Sequence, residues 1–154
     1  MLPDRVSQIA TGAKFRSSVM ALQREHLELP QVECPLVHHF AHGVYVREVT
    51  IPAGTIVIGK IHRYATINIL LKGEITVITE TGTQRLAAPC TFVSPPGTKK
   101  AAFTHTEVIW SNACATESTD PEEAERELTC DDYEDGGFLE HVNETLKLEG
   151  LCHS

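Results

Sequence analysis

IPAGTIVIGKIHRYATINILLKGEITV, residues 51–77, is the stretch whose reading decides the fold. Its β-branched and aliphatic residues come in runs too short for helices, TIVIGKI, TINILLK and ITV. They are set apart by Pro52-Ala53-Gly54 and Lys72-Gly73-Glu74. Proline restricts φ and glycine reaches positive φ, so these are tight turns between strands. The same texture extends outward. VYVREVTI precedes it, and ITVITE, QRLAA, TFVS and EVIWSNA follow, with further turns at Thr81-Gly82-Thr83 and Pro95-Pro96-Gly97. Seven short strands with regular turn signals indicate an all-β sandwich or barrel. Strands this short must close or stack to hide their edges, which favours a double-sheet jelly roll.

At 154 residues the chain has room for one barrel with appendages, since two separate cores would each be marginal. The division expected is an N-terminal arm and short helix over 1–36, a β-barrel over 37–116 and an acidic helical tail over 117–154. Residues 1 to about 16 read as a loose arm. A short helix over Ser18–Leu27 would carry Val19, Leu22 and His26 on one face. After Thr116 the β pattern stops. Asp120-Pro121-Glu122-Glu123 offers an N-cap carboxylate, proline at the first helical position and a glutamate at the third, predicting a helix from Pro121 to about Leu128. Asp131 to Gly137 reads as a linker. Phe138, Val142 and Leu146 then fall at helical spacing, with Gly150 as a stop.

Composition narrows the function classes. The net charge of −8 is concentrated in the tail, where 13 of the 21 acidic residues lie between Glu117 and Glu149. Such a chain does not read as a nucleic-acid binder, which needs a basic stripe to displace counterions from phosphate. Cys34, Cys90, Cys114, Cys130 and Cys152 form an odd set without C-x-x-C spacing, so reduced thiols are expected. Cys90 and Cys114 lie in apolar strand contexts where thiols are usually inert. The N-terminus has no secretory pattern and no run is long enough to span a bilayer, giving the expectation of a cytoplasmic protein without membrane contact.

Residues 51–77, with their Pro-Gly turn, histidine-bearing strand and Lys-Gly-Glu hairpin, resemble the first cupin motif. LAAPCTFVSPPGTKKAAF, residues 86–103, resembles the second, in which a Pro-x-Gly turn redirects the chain into the barrel. With HHFAHGVYVREVTIPAG the chain also resembles small phage and prophage cupin-like proteins of unassigned function. The resemblance covers roughly residues 35–116. It implies a double-stranded β-helix barrel, a homodimer that covers open sheet edges, and, for a phage-encoded chain, action in the host cytoplasm.

Metal-binding cupins typically carry H-x-H-x(3)-E-x(6)-G followed by P-x-G-x(2)-H. Counting back from Gly73 places Thr66 at the glutamate position, His62 at the second histidine and Lys60 at the first. Counting forward from Pro95 and Gly97 places Lys100 at the third histidine. An alternative register puts His62 first, Tyr64 second and Asn68 at the glutamate, and still supplies one strong ligand. A transition-metal site generally needs three or more.

On a regular strand, residues 60, 62, 66 and 68 share a face. Lys60, His62, Thr66 and Asn68 would then line one wall with Lys100 approaching it, making these five the candidate ligand-binding residues. Two ammonium groups in a narrow barrel call for an anion such as a phosphate, carboxylate or nucleotide, unless the lysines snorkel to the mouth. Of His38, His39 and His42 at most two can converge, and they read as strand-entry or subunit-contact residues. Trp110 and Phe103 read as core.

The preferred function is metal-independent binding of a small anionic molecule by a phage or prophage accessory protein, with no catalytic residue assigned. The first alternative is a metal-dependent oxygenase or isomerase, holding a divalent transition metal on His62 and His105. The second is an interaction protein acting through the acidic tail.

Overall fold

In the computed structural model, residues 2–133 are described, with side chains from Lys14 onward. Helix α1 (Leu2–Leu27) leads into strands β1 (Leu36–Ala41), β2 (Val44–Ile51), β3 (Ile56–Ile58), β4 (Ile61–His62) and β5 (Thr66–Lys72). Strands β6 (Glu74–Thr79), β7 (Gly82–Ala87), β8 (Cys90–Ser94), β9 (Ala101–Thr104) and β10 (Val108–Ala115) complete the main sheets. Helix α2 (Pro121–Leu128) and strand β11 (Thr129–Cys130) follow.

All pairings are antiparallel. One sheet has the order β1-β2-β10-β5-β8, the other β3-β9-β6-β7, and β11 pairs with β4 as a two-stranded ribbon. Ile51, Leu70, Val108 and Trp110 of the first sheet meet Ile75 and Val77 of the second in one core cluster. The chain is therefore a double-sheet antiparallel jelly-roll barrel with helical appendages, as expected from its strand and turn pattern.

The turns form where glycine was read to demand them. Gly73 has φ +90°, and a Cβ there would lie 2.2 Å from the carbonyl oxygen of Glu107, so no other residue fits between β5 and β6. Gly97, with φ 81°, donates its N–H to His62 O at 2.8 Å, while His62 N–H reaches Thr98 O at 3.2 Å. This loop thus fixes β4 from one side, and β11 fixes it from the other through the register Thr129↔His62.

Helix α2 begins and ends as predicted. Asp120 accepts a hydrogen bond from the Glu123 N–H, and Pro121 opens the first turn. Its buried Ala124 and Leu128 pack on Tyr45.

Three expectations are corrected. Helix α1 occupies Leu2–Leu27 rather than starting near Ser18. It docks by Val19, by Arg16 against Glu80 and the Tyr133 ring, and by Gln23 on Lys99. The β pattern resumes after Thr116 as β11, which no local periodicity announces. Phe103 is 41% exposed instead of core, whereas Trp110 is buried. The linker beyond Tyr133 and the helix expected around Phe138, Val142 and Leu146 lie outside the described residues. Among the described residues no helix is long and apolar enough to cross a membrane.

Candidate ligand cavity

Between the two sheets lies a cavity of about 570 Å³, bordered at its mouth by α2. Strand alternation decides what lines it. Tyr45, Arg47, Val49 and Ile51 of β2 face inward, as do Trp110, Asn112 and Cys114 of β10 and Ile75 and Val77 of β6. Registers of neighbouring strands align His38↔Arg47, Arg47↔Asn112 and Asn112↔Asn68. One polar row thus crosses four strands. The row beside it is apolar, through Leu36↔Val49, Val49↔Trp110 and Trp110↔Leu70. The cavity therefore has a charged band and a greasy, aromatic band.

Asn68 is fully buried and anchors the polar row. Its amide nitrogen donates to Ser94 Oγ (2.7 Å) and Thr66 O (3.1 Å), and its Oδ1 accepts from Asn112 Nδ2 (2.9 Å). Asn112, not Asn68, lines the cavity. At the other end His38 Nδ1 and the Tyr45 hydroxyl share a hydrogen bond of 2.6 Å.

His62 lines the cavity from β4. Thr66 donates its hydroxyl to Tyr64 O (3.1 Å) and so accepts from His62 Nδ1 (3.2 Å). That network leaves the lone pair of the neutral imidazole on Nε2. Burial first, then the nearby charges of Lys100 and Arg47, push the His62 pKa down to about 4. The ring is neutral at pH 7.

Lys100 stands just before β9, its carbonyl held by the Gly59 N–H at 2.9 Å. It lines the cavity, and burial lowers its pKa to about 8, against a smaller opposing contribution from Cys114. Arg47 faces the same space. Among the described residues no carboxylate forms an ion pair with either cation. Lys99, its neighbour, is 1% exposed and points elsewhere, donating to Gln23 Oε1 (2.6 Å) and Gly59 O (2.9 Å).

Lys60 sits at the mouth. It pairs with Glu125 at 3.1 Å and Asp131 at 3.2 Å, all three at least 46% exposed. Burial alone would lower its pKa, but hydrogen bonds and charge from the two carboxylates prevail and raise it. Cys34 and Cys114 line the cavity with thiols held above their ordinary pKa by burial, which keeps them protonated and unreactive at neutral pH.

Of the five candidate residues, His62 and Lys100 both line the cavity, and Lys60 reaches it only at its rim. Thr66 and Asn68 are buried behind the wall, positioning His62 and Asn112. The chain bends at Arg63 and Tyr64, so β4 and β5 belong to different sheets and strand alternation does not carry across. His105 is on the outer surface, hydrogen-bonded to Thr76 Oγ1 at 2.7 Å and edge-on to Phe103, and cannot join His62. His38 lines the cavity rather than serving only strand entry, while His39 pairs with Glu48 at 3.6 Å. Among the described residues no three His, Cys, Asp or Glu side chains converge. His62 with Thr66 and two lysines does not fit a three-ligand metal site.

Arg47, Tyr45 and Asn112 were not singled out from the sequence. The signal for the first two was present in VYVREVTI, whose inward positions read Tyr, Arg, Val, Ile. An arginine on an otherwise apolar strand face needs an explanation.

No family model and no curated protein matches the chain. Among solved structures, it is similar to a cupin superfamily protein from Desulfitobacterium hafniense, at 12% identity over 57% of this chain and 82% of that one, with a TM-score of 0.48. It is similar to the cupin domain of Schizosaccharomyces pombe Cnp3, at 19% identity over 66% and 77%, with a TM-score of 0.47. A salicylate 1,2-dioxygenase from Pseudaminobacter salicylatoxidans is similar at 13% identity over 66% of this chain and 32% of that one, with a TM-score of 0.48.

Proposed function

We propose that this protein binds a small molecule with an anionic head and an apolar body inside the barrel, without using a metal. The observation that carries this reading is that Lys100 and Arg47 line a largely apolar cavity and form no ion pair with a described carboxylate. Both cations are partly withdrawn from solvent, and burial already disfavours the charged form of Lys100, so an answering charge in the cavity would be favourable. A carboxylate or phosphate supplies that charge. Trp110, Val49, Ile75 and Val77 offer an apolar wall to the rest of the molecule. The resemblance adds the setting: a phage or prophage accessory protein acting as a dimer in the host cytoplasm, which light scattering checks through its mass.

Calorimetric titration with phenylacetate, medium-chain carboxylates, inorganic phosphate and the uncharged phenylethanol tests the reading. Phenylacetate is expected to bind and phenylethanol not, with affinity falling as salt rises. Equal binding of charged and uncharged probes would sink the proposal. So would stoichiometric transition metal on His62 in protein purified without a polyhistidine tag.

A further inference from the structure

We propose that Lys100 is a carbonyl-capturing nucleophile, its amine condensing with the ketone of a 2-oxo carboxylic acid whose carboxylate is held by Arg47. The inference rests on the anion-cavity reading and names its substrate class.

Lys60, Lys99 and Lys100, the three lysines of the barrel other than the surface-paired Lys72, differ in what occupies their amines. Lys60 is held as ammonium by Glu125 and Asp131. Lys99 spends its donors on Gln23 and the Gly59 carbonyl. Lys100 alone of the three faces the cavity interior, with no hydrogen bond or ion pair among the described residues. Its backbone is pinned by the Gly59 N–H.

An amine attacks a carbonyl only as the free base. A desolvated lysine among apolar walls favours this form. Lys100 is in that setting, and Arg47 faces the same cavity from the opposing sheet. With its pKa at about 8, Lys100 has roughly a tenth of its amine neutral at pH 7, against well under a thousandth for an ordinary lysine.

The amine lone pair forms the C–N bond while the carbonyl π pair moves to oxygen. Protonation of that oxygen and loss of water leave a protonated imine on Lys100. Taken from the ammonium form, one cation and one ketone give one iminium cation and one water, with no oxidant or reductant. Why a 2-oxo acid: its carboxylate adjoins the carbonyl, so a single anchor on Arg47 also positions the reacting carbon.

The test incubates the full chain with phenylpyruvate or pyruvate and sodium cyanoborohydride, which reduces the imine to a stable secondary amine. Intact mass and peptide mapping then read the site. One adduct on Lys100 is expected, forming about ten- to a hundredfold faster than on any other lysine at pH 7. Excess phenylacetate should suppress it, and its rate should rise with a midpoint near pH 8. Lys100→Arg keeps the charge but has no amine to condense, and should lose the adduct. Scattered labelling that phenylacetate does not suppress overturns the inference. Absence of an adduct while phenylacetate binds overturns it and leaves the anion-cavity reading intact. If neither probe binds, both fall.

Discussion

The mouth and the interior of this cavity handle positive charge in opposite ways. At the mouth, Lys60 is answered by Glu125 and Asp131, in water, at little energetic cost or gain. Inside, Lys100 and Arg47 face the same cavity as a neutral His62, with no carboxylate among the described residues paired to either cation. An answered cation serves the fold. On the proposed reading an unanswered one serves a ligand, and the comparison says where substitutions should alter binding rather than stability.

The largest effect should appear in acid. His62 falls from 6.5 unfolded to about 4 folded, so the native state refuses a proton that the unfolded chain accepts between those values. Stability is then fully present above pH 6.5 and lost as pH drops toward 4, by roughly 3 kcal/mol from this group. Urea unfolding across that range should show a limb that His62→Gln flattens. An unchanged limb would mean the interior is wetter than the geometry indicates.

Next come the interior cations. Lys100→Met and Arg47→Met should each weaken phenylacetate binding by about 1.5–3 kcal/mol, or ten- to a hundredfold, in calorimetric titration. The ligand-free Lys100→Met protein should be at least as stable as the parent at pH 7. Lys60→Met should bind within about threefold of the parent, a change worth under ~1 kcal/mol. If Lys60 mattered as much as Lys100, mouth and interior would not differ.

Asn68→Ala removes the acceptor of Asn112 and the donor to Ser94 and leaves both wanting partners. Chemical denaturation should register a loss of about 1–3 kcal/mol. The smallest effect belongs to the rim. Glu125→Gln should cost about 0.2–1 kcal/mol in low salt and less in high salt, by thermal melting.

The same contrast explains what could be read in advance. Strands β2 and β5 were legible to the residue because β-branched alternation and flanking Gly or Pro are local signals. Helix α2 was legible because its cap is a local hydrogen-bond pattern. Lys100 and His62 followed from the resemblance to the cupin motifs, counted from Gly97 and Gly73. The shared wall of Lys60, His62, Thr66 and Asn68 failed because a period of two holds only within one strand, and Arg63 and Tyr64 break it. Arg47 stood out locally on its apolar strand face, but the polar row it belongs to was not legible, because its partners come from β1 and β10, a relation that exists only after pairing. Taken over its whole length α1 has almost no amphipathic bias, so helical periodicity gives little to register.

Strand β10 lies between β2 and β5 in the finished sheet, yet it is the last of that sheet's five strands to be synthesised. Arg47 can therefore meet Asn112 only after most of the chain has left the ribosome. Pairings this distant in sequence are the slow kind, because loop closure must precede the contacts that compensate it. During synthesis β1 and β2 wait as a hairpin whose inner face carries Tyr45, Val49 and Ile51 uncovered. Arg47 in the middle of that face interrupts an otherwise greasy surface, and a charge at that place discourages nascent chains from sticking to one another.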